Sequence, residues 1–136
     1  PIQQSGQLRF VHSHIDRFDK NGKILSTPFN DYISLRFVNG HTDAMMLPQI
    51  KYKEHTILYM ADLLPSAAHL PLPYVMAYDM QPLITLQEKE SVLNEALNEN
   101  YILFFEHDPI IECCTLQMTE KGIRMKDAFT LESLSA

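Results

Sequence analysis

Three residues with metal-ligating side chains stand just beyond apolar, strand-like runs: His41 after 35–40, Asp62 after 56–61 and His107 after 101–106. A sheet fixes the backbone at such positions while the side chain leaves the core for a shared rim, so strand ends suit metal ligands. Neutral imidazole and carboxylate are donors that zinc, manganese and iron accept. The three lie far apart in the chain and have no diagnostic short spacing. Each therefore also fits a plainer role: a surface histidine beside a turn, an aspartate capping the next turn, a histidine ahead of a proline-marked loop. If the three scatter over the molecule, the chain is a small β-rich domain with chance matches.

The elements that must position them can be read from periodicity and turn residues. Runs 7–11 and 32–38 are rich in aromatic and β-branched residues and predict strands, with Asn21-Gly22 marking a tight turn. Runs 44–51 and 56–61 predict a hairpin across 52–55, which leaves His55 on a solvated loop. From 64 to 82, Pro65, Pro71, Pro73 and Pro82 interrupt an apolar stretch and block both a long helix and a central strand. A loop of that length is a candidate pocket wall. His69, Tyr74, Met76 and Tyr78 within it carry polar or polarisable tips that could orient a substrate carbonyl, or else pack the loop on the core.

Thr85 and Glu88 form a capping-box pattern, and Leu86, Val92, Leu93, Ala96 and Leu97 share one helical face, predicting a helix over 86–98. A buried strand over 101–106 then delivers His107, and 113–119 with 123–126 make a second hairpin turning at Gly122. Cys113 and Cys114 are adjacent on a strand and point to opposite faces, so they make neither a disulfide nor a zinc pair.

A chain of 136 residues closes one modest core, so residues 1–136 are expected to form a single domain. The net charge of -6, from 11 Lys+Arg against 17 Asp+Glu, argues against a nucleic-acid partner and leaves a small molecule or a protein. The apolar runs are too short for a transmembrane segment, and the first residues show no signal peptide. The expectation is a soluble protein, with the cytoplasm favoured over export.

Val38-Asn39-Gly40-His41-Thr42, Leu58-Tyr59-Met60-Ala61-Asp62-Leu63 and Phe104-Phe105-Glu106-His107-Asp108, in that order, resemble the second half of the metallo-β-lactamase superfamily. Residues 5–8 and 64–73 extend the similarity to lactonase-like and organophosphate-hydrolase-like members. By resemblance His41 binds a first metal, Asp62 bridges two metals and His107 binds the second. Two substitutions depart from the family pattern: Ala61 stands where a glycine usually precedes the bridging aspartate, and Asp43-Ala44 replaces a common Pro-Gly.

The family's first half, with its His-x-His-x-Asp-His segment, has no counterpart upstream. His12-Ser13-His14-Ile15-Asp16 imitates its start, making His12, His14 and Asp16 an alternative metal set, but Arg17 stands where the last histidine belongs. The resemblance implies an α+β fold, half of an αββα sandwich with a mostly antiparallel sheet and one long amphipathic helix. It also implies a parent hydrolase of an ester, lactone or related small-molecule bond, using two divalent metal ions, zinc foremost. This chain alone is then expected to hold partial or no metal and to be inactive. The alternative is a noncatalytic module that self-associates or pairs with its missing half.

Overall fold

The computed structural model describes residues 2–13 and 16–135. Seven strands form one sheet in sequence order: β1 Ser26–Pro28, β2 Ile33–Val38, β3 Met45–Tyr52, β4 His55–Tyr59, β5 Ile102–Phe104, β6 Cys113–Thr119 and β7 Gly122–Phe129. Every neighbouring pair is antiparallel except β4 with β5. That parallel pair requires a crossover, and the chain supplies it with short 3₁₀ turns at Ala61–Leu63 and Ala67–His69, a loop, and the helix α1 at Pro82–Asn98. The fold is thus α+β, with a mostly antiparallel sheet and one long helix.

The helix lies on one sheet face, where Val92, Leu93 and Ala96 pack with Val38, Leu47, Leu58, Leu103, Cys114 and Leu116. The same helix also buries Thr85, Glu88, Lys89 and Glu95. On the opposite face Ile57, Ile102 and Cys113 gather Ile50, Tyr52, Phe104 and Phe129, covered by Leu131 and Leu134 of a final 3₁₀ turn. Cys113 and Cys114 do point to opposite faces, and burial pushes both thiols up to about 12. Pro48 sits inside β3 without breaking it, because the β4 pairing begins only at Gln49 and leaves that side of Pro48 outside the ladder.

Four expectations need correction. Residues 7–11 form no strand: Leu8 and Phe10 are exposed, so the segment buries too little to join the sheet, which begins at Ser26. The helix starts four residues earlier than its pattern predicts, because Pro82 occupies its first turn, where a missing N–H costs nothing. Glu88 is not a capping residue but a buried acceptor for β2–β3 loop amides, and the Thr85 hydroxyl donates to the Gln81 carbonyl. His55 is not on a solvated loop; it opens β4 and is half-buried.

Candidate metal centre

The sheet brings the three remote residues together. His41 Nε2 lies 3.4 Å from Asp62 Oδ2, and His107 Nε2 lies 3.2 Å from Asp62 Oδ1. Each of the three positions is anchored by backbone bonds. The His41 turn accepts N–H bonds from Met80 to the His41 carbonyl (3.1 Å) and from Gln81 to the Gly40 carbonyl (2.8 Å), while Glu88 receives the Asn39 and Gly40 amides. Asp62 sits in the 3₁₀ turn one residue after β4, where the Leu63 amide donates to the Met60 carbonyl and the Met60 amide to the Phe104 carbonyl. The His107 amide donates to the Pro65 carbonyl, and the next residue, Asp108, accepts from Ala67, Ile110 and Ile111. Burial pushes the Asp108 carboxyl up, but these three N–H donors outweigh it and hold it below its usual value.

The two alanines at glycine-like positions explain themselves in the backbone. Ala61 has φ 42° and Ala44 φ 56°, both in the left-handed region that glycine enters without a Cβ penalty. The turns therefore keep a glycine-type conformation despite the substitutions, at a cost of about 1 kcal/mol each. At Ala44 the Asn39 side chain helps hold the turn by accepting the amide at 2.7 Å.

Gly40 is required for a different reason. A Cβ there would lie 2.3 Å from the backbone N and Oγ1 of Thr85 and 2.5 Å from its Cα. The helix backbone cannot retreat without losing its packing, so Gly40→Ala should cost about 3 kcal/mol. Chemical denaturation would measure this, and a loss under 0.5 kcal/mol would show that the turn has room to shift.

A cavity of about 440 Å³ adjoins the trio, lined by Asp62 and His107 with Pro65, Ser66, His69 and Tyr78 among others. His69 and Tyr78 of the proline-rich loop thus reach it, and Met76 lines it as well. Tyr74 is not among the lining residues; it is exposed, and its carbonyl accepts from Lys89. Ser66 Oγ is 2.9 Å from His69 Nδ1. Burial, assisted by Lys89, keeps the His69 imidazole below its usual value, so it is neutral near pH 7. Tyr78 meets His41 edge-to-face at 6.2 Å.

The alternative set lies only partly within the described residues. His12 and Asp16 are exposed, and His14 lies outside the described residues. Arg17, in the place of that motif's last histidine, instead reaches Glu88 at 3.0 Å and so braces the His41 turn.

Sequence reading missed Asp79 and Lys89. Asp79 is buried, with Oδ1 2.9 Å from His41 Nδ1. Lys89 is buried and donates to the carbonyls of Pro71, Leu72 and Tyr74, tying the loop that walls the cavity to the helix. Burial lowers its ammonium to about 8, and the charge of Asp79 resists that shift. A lone aspartate inside a proline-rich loop carries no sequence signal; Lys89 had one, since a lysine three positions before Val92 falls on the buried face of the helix.

Donor spacing tests whether metal suits this site. Bonds of 2.0–2.2 Å around a tetrahedral cation separate its donors by roughly 3.4 Å, close to the 3.2 and 3.4 Å found, whereas direct charge-assisted hydrogen bonds are nearer 2.8 Å. Each gap has one imidazole and one carboxylate oxygen. Among the described residues no three histidines, cysteines or acids are grouped to hold one ion. The residues thus fit two partial shells sharing Asp62, with too few donors to close either.

No family model matches the chain, and no curated protein is similar to it in sequence. Solved structures are similar in fold. A probable metal-dependent hydrolase from Staphylococcus aureus matches 94% of this chain and 41% of its own, at 20% identity and a TM-score of 0.74. AidC, a dizinc quorum-quenching lactonase, matches 76% of this chain and 36% of its own at 18% identity and a TM-score of 0.65. The hydrolase AbOPH of the beta-lactamase superfamily matches 70% and 34% at 14% identity and a TM-score of 0.59. The chain therefore shares part of the fold of these structures, and spans about two fifths or less of their length. No helix among the described residues is long and apolar enough to cross a membrane.

Proposed function

We propose that this chain contributes His41, Asp62 and His107 to the dinuclear metal centre of a hydrolase acting on an ester, lactone or related bond. The observation that carries this reading is the position of Asp62, whose two oxygens each face a different imidazole Nε2. In this reading two divalent cations, zinc foremost, supply a water of lowered pKa and a Lewis acid for the substrate oxygen. The chain's own residues hold and orient: Asp62 shares one oxygen with each position, His41 and His107 set the spacing, and Tyr78 and His69 wall the cavity. Neutral His69, fixed by Ser66, offers a hydrogen bond to a substrate oxygen. The apolar loop residues beside them favour a partly hydrophobic small molecule.

Two donors per position fall short of zinc's usual four, so further ligands come from a part of the protein outside these residues, and the isolated chain has little turnover. The test is zinc affinity together with lactone and aryl-ester hydrolysis. The expected result is weak zinc binding, reduced at least tenfold in Asp62→Ala, without appreciable turnover. Zinc affinity unchanged by Asp62→Ala would overturn the ligand assignment; robust turnover abolished by that substitution would overturn the partial-centre reading.

A second reading is a noncatalytic module that pairs with the remaining part of the fold or with a second copy. It is supported by the fraction of the matched structures that the chain spans. Size-exclusion chromatography distinguishes it, since a clean monomer counts against self-association.

A further inference from the structure

The geometry points to Asp79 as the positioning residue of this centre: its carboxylate holds His41 with the proton on Nδ1 and so aims the Nε2 lone pair at Asp62. The inference rests on the proposed reading for its link to metal, but its structural part stands on contacts alone. Asp79 Oδ1 is 2.9 Å from His41 Nδ1, and the aspartate side chain is 1% exposed against 13% for the histidine. An ionised carboxylate only accepts hydrogen bonds, so Nδ1 must be the donor. In a neutral imidazole the other nitrogen then carries the lone pair. That nitrogen faces Asp62 Oδ2 at 3.4 Å. Two acceptors facing each other repel unless a cation or proton lies between them, so this tautomer prepares the gap for a cation.

The backbone shows that the contact is built into the fold. Asp79 donates its amide to Met76, and Met80, the next residue, donates to the His41 carbonyl at 3.1 Å. His41 is therefore gripped at its ring by one residue and at its main chain by the following one. The second oxygen of Asp79 is buried without a hydrogen-bond partner among the described residues. An unsatisfied buried acceptor is costly and is retained where the group has another task. The charge of Asp79 acts in turn on the buried Lys89 ammonium of α1, so the loop and the helix meet at this aspartate.

The experiment uses ¹⁵N-labelled, metal-free chain and reads the two imidazole nitrogens of His41 by long-range proton–nitrogen correlation. The wild type is expected to show a protonated Nδ1 and a bare Nε2. Asp79→Leu, branched at the same atom but without an acceptor, should shift His41 toward the Nε2-protonated form favoured by free imidazole. Asp79→Asn keeps an acceptor oxygen and should retain the wild-type tautomer, and it serves where the leucine variant fails to fold.

Zinc titration follows. Asp79→Leu should weaken affinity 10–100-fold, the usual effect of removing a histidine's outer partner, and Asp79→Asn much less. A wild type with Nε2 protonated, or an Asp79→Leu chain with an unchanged tautomer, overturns the inference. Equal zinc affinity in wild type and a folded Asp79→Leu variant overturns its link to metal. Absence of zinc binding by the wild type sinks the metal reading instead, and the tautomer then still decides whether Asp79 sets His41.

Discussion

Replacing Glu88 by alanine should cost about 4 kcal/mol and release the turn that carries His41. The carboxylate is fully buried and accepts from the amides of Asn39 (2.8 Å) and Gly40 (2.9 Å) and from Arg17 Nη1 (3.0 Å). Its removal orphans two amides beneath the helix, and each unsatisfied buried group costs roughly 1–3 kcal/mol. Burial pushes the Glu88 carboxyl above its usual value, and the bonds from the two amides and Arg17 only partly offset it. Glu88→Gln keeps one acceptor oxygen and should recover about half of the loss.

Urea denaturation gives the magnitude, and hydrogen exchange shows where it falls. The Asn39 and Gly40 amides should exchange much faster in Glu88→Ala, while Leu58 and Leu103 in the sheet keep their protection relative to global unfolding. Stability within 0.5 kcal/mol of the wild type would mean that the turn holds itself and that Glu88 is merely tolerated.

The strands and hairpins were legible in the sequence wherever alternation met a turn signal: β3 with β4, and β6 with β7, follow the pattern of apolar residues and Gly122. Residues 7–11 have the composition of a strand but leave Leu8 and Phe10 exposed, and composition alone does not reveal whether a run will be buried. The helix start was misread because Thr85 and Glu88 have two uses. At an exposed helix end they cap; here the chain has already turned at Pro82, and Glu88 faces inward to the His41 turn. Local pattern gave way to a contact 48 residues away in sequence.

The same limit governs the site. His41, Asp62 and His107 could be singled out because each follows a strand. Asp79 could not, because what defines it is its distance to His41, made only when the 64–81 loop folds back onto the turn after β2. Ala44 and Ala61 show the reverse case, in which a residue type argues against a conformation that the surrounding bonds impose.

Arg36→Met should lower stability by about 3–5 kcal/mol, the usual effect of breaking a buried ion pair from one side. Arg36 points from β2 toward the helix and is 1% exposed. Both of its terminal nitrogens bond the Glu95 carboxylate, and Nε and Nη2 bond Gln49 Oε1 at 2.8 and 2.5 Å. Without Arg36, Glu95 keeps Lys23 at 2.9 Å and the Tyr101 hydroxyl at 3.0 Å, but the bidentate contact is gone. Adding Glu95→Leu removes the stranded charge, so Arg36→Met with Glu95→Leu should return to within about 1 kcal/mol of the wild type.

The sign of the pH dependence follows from Glu95. Burial pushes its carboxyl up, but hydrogen bonds from Arg36 and Lys23 outweigh this and hold it below 4.5. A carboxyl lowered on folding contributes stability that is complete above 4.5 and is lost as pH falls through its folded value. That acid-sensitive share should vanish in the double variant and persist in the wild type. Because Arg36 and Glu95 hold the far half of α1 while Glu88 and Lys89 hold the half beside His41, the double variant should leave the protection of the Gly40 amide unchanged. A double variant as unstable as Arg36→Met alone would show that the methionine and leucine cannot fill the space, and that Arg36 matters by its shape and its bonds to Gln49 rather than by neutralising Glu95.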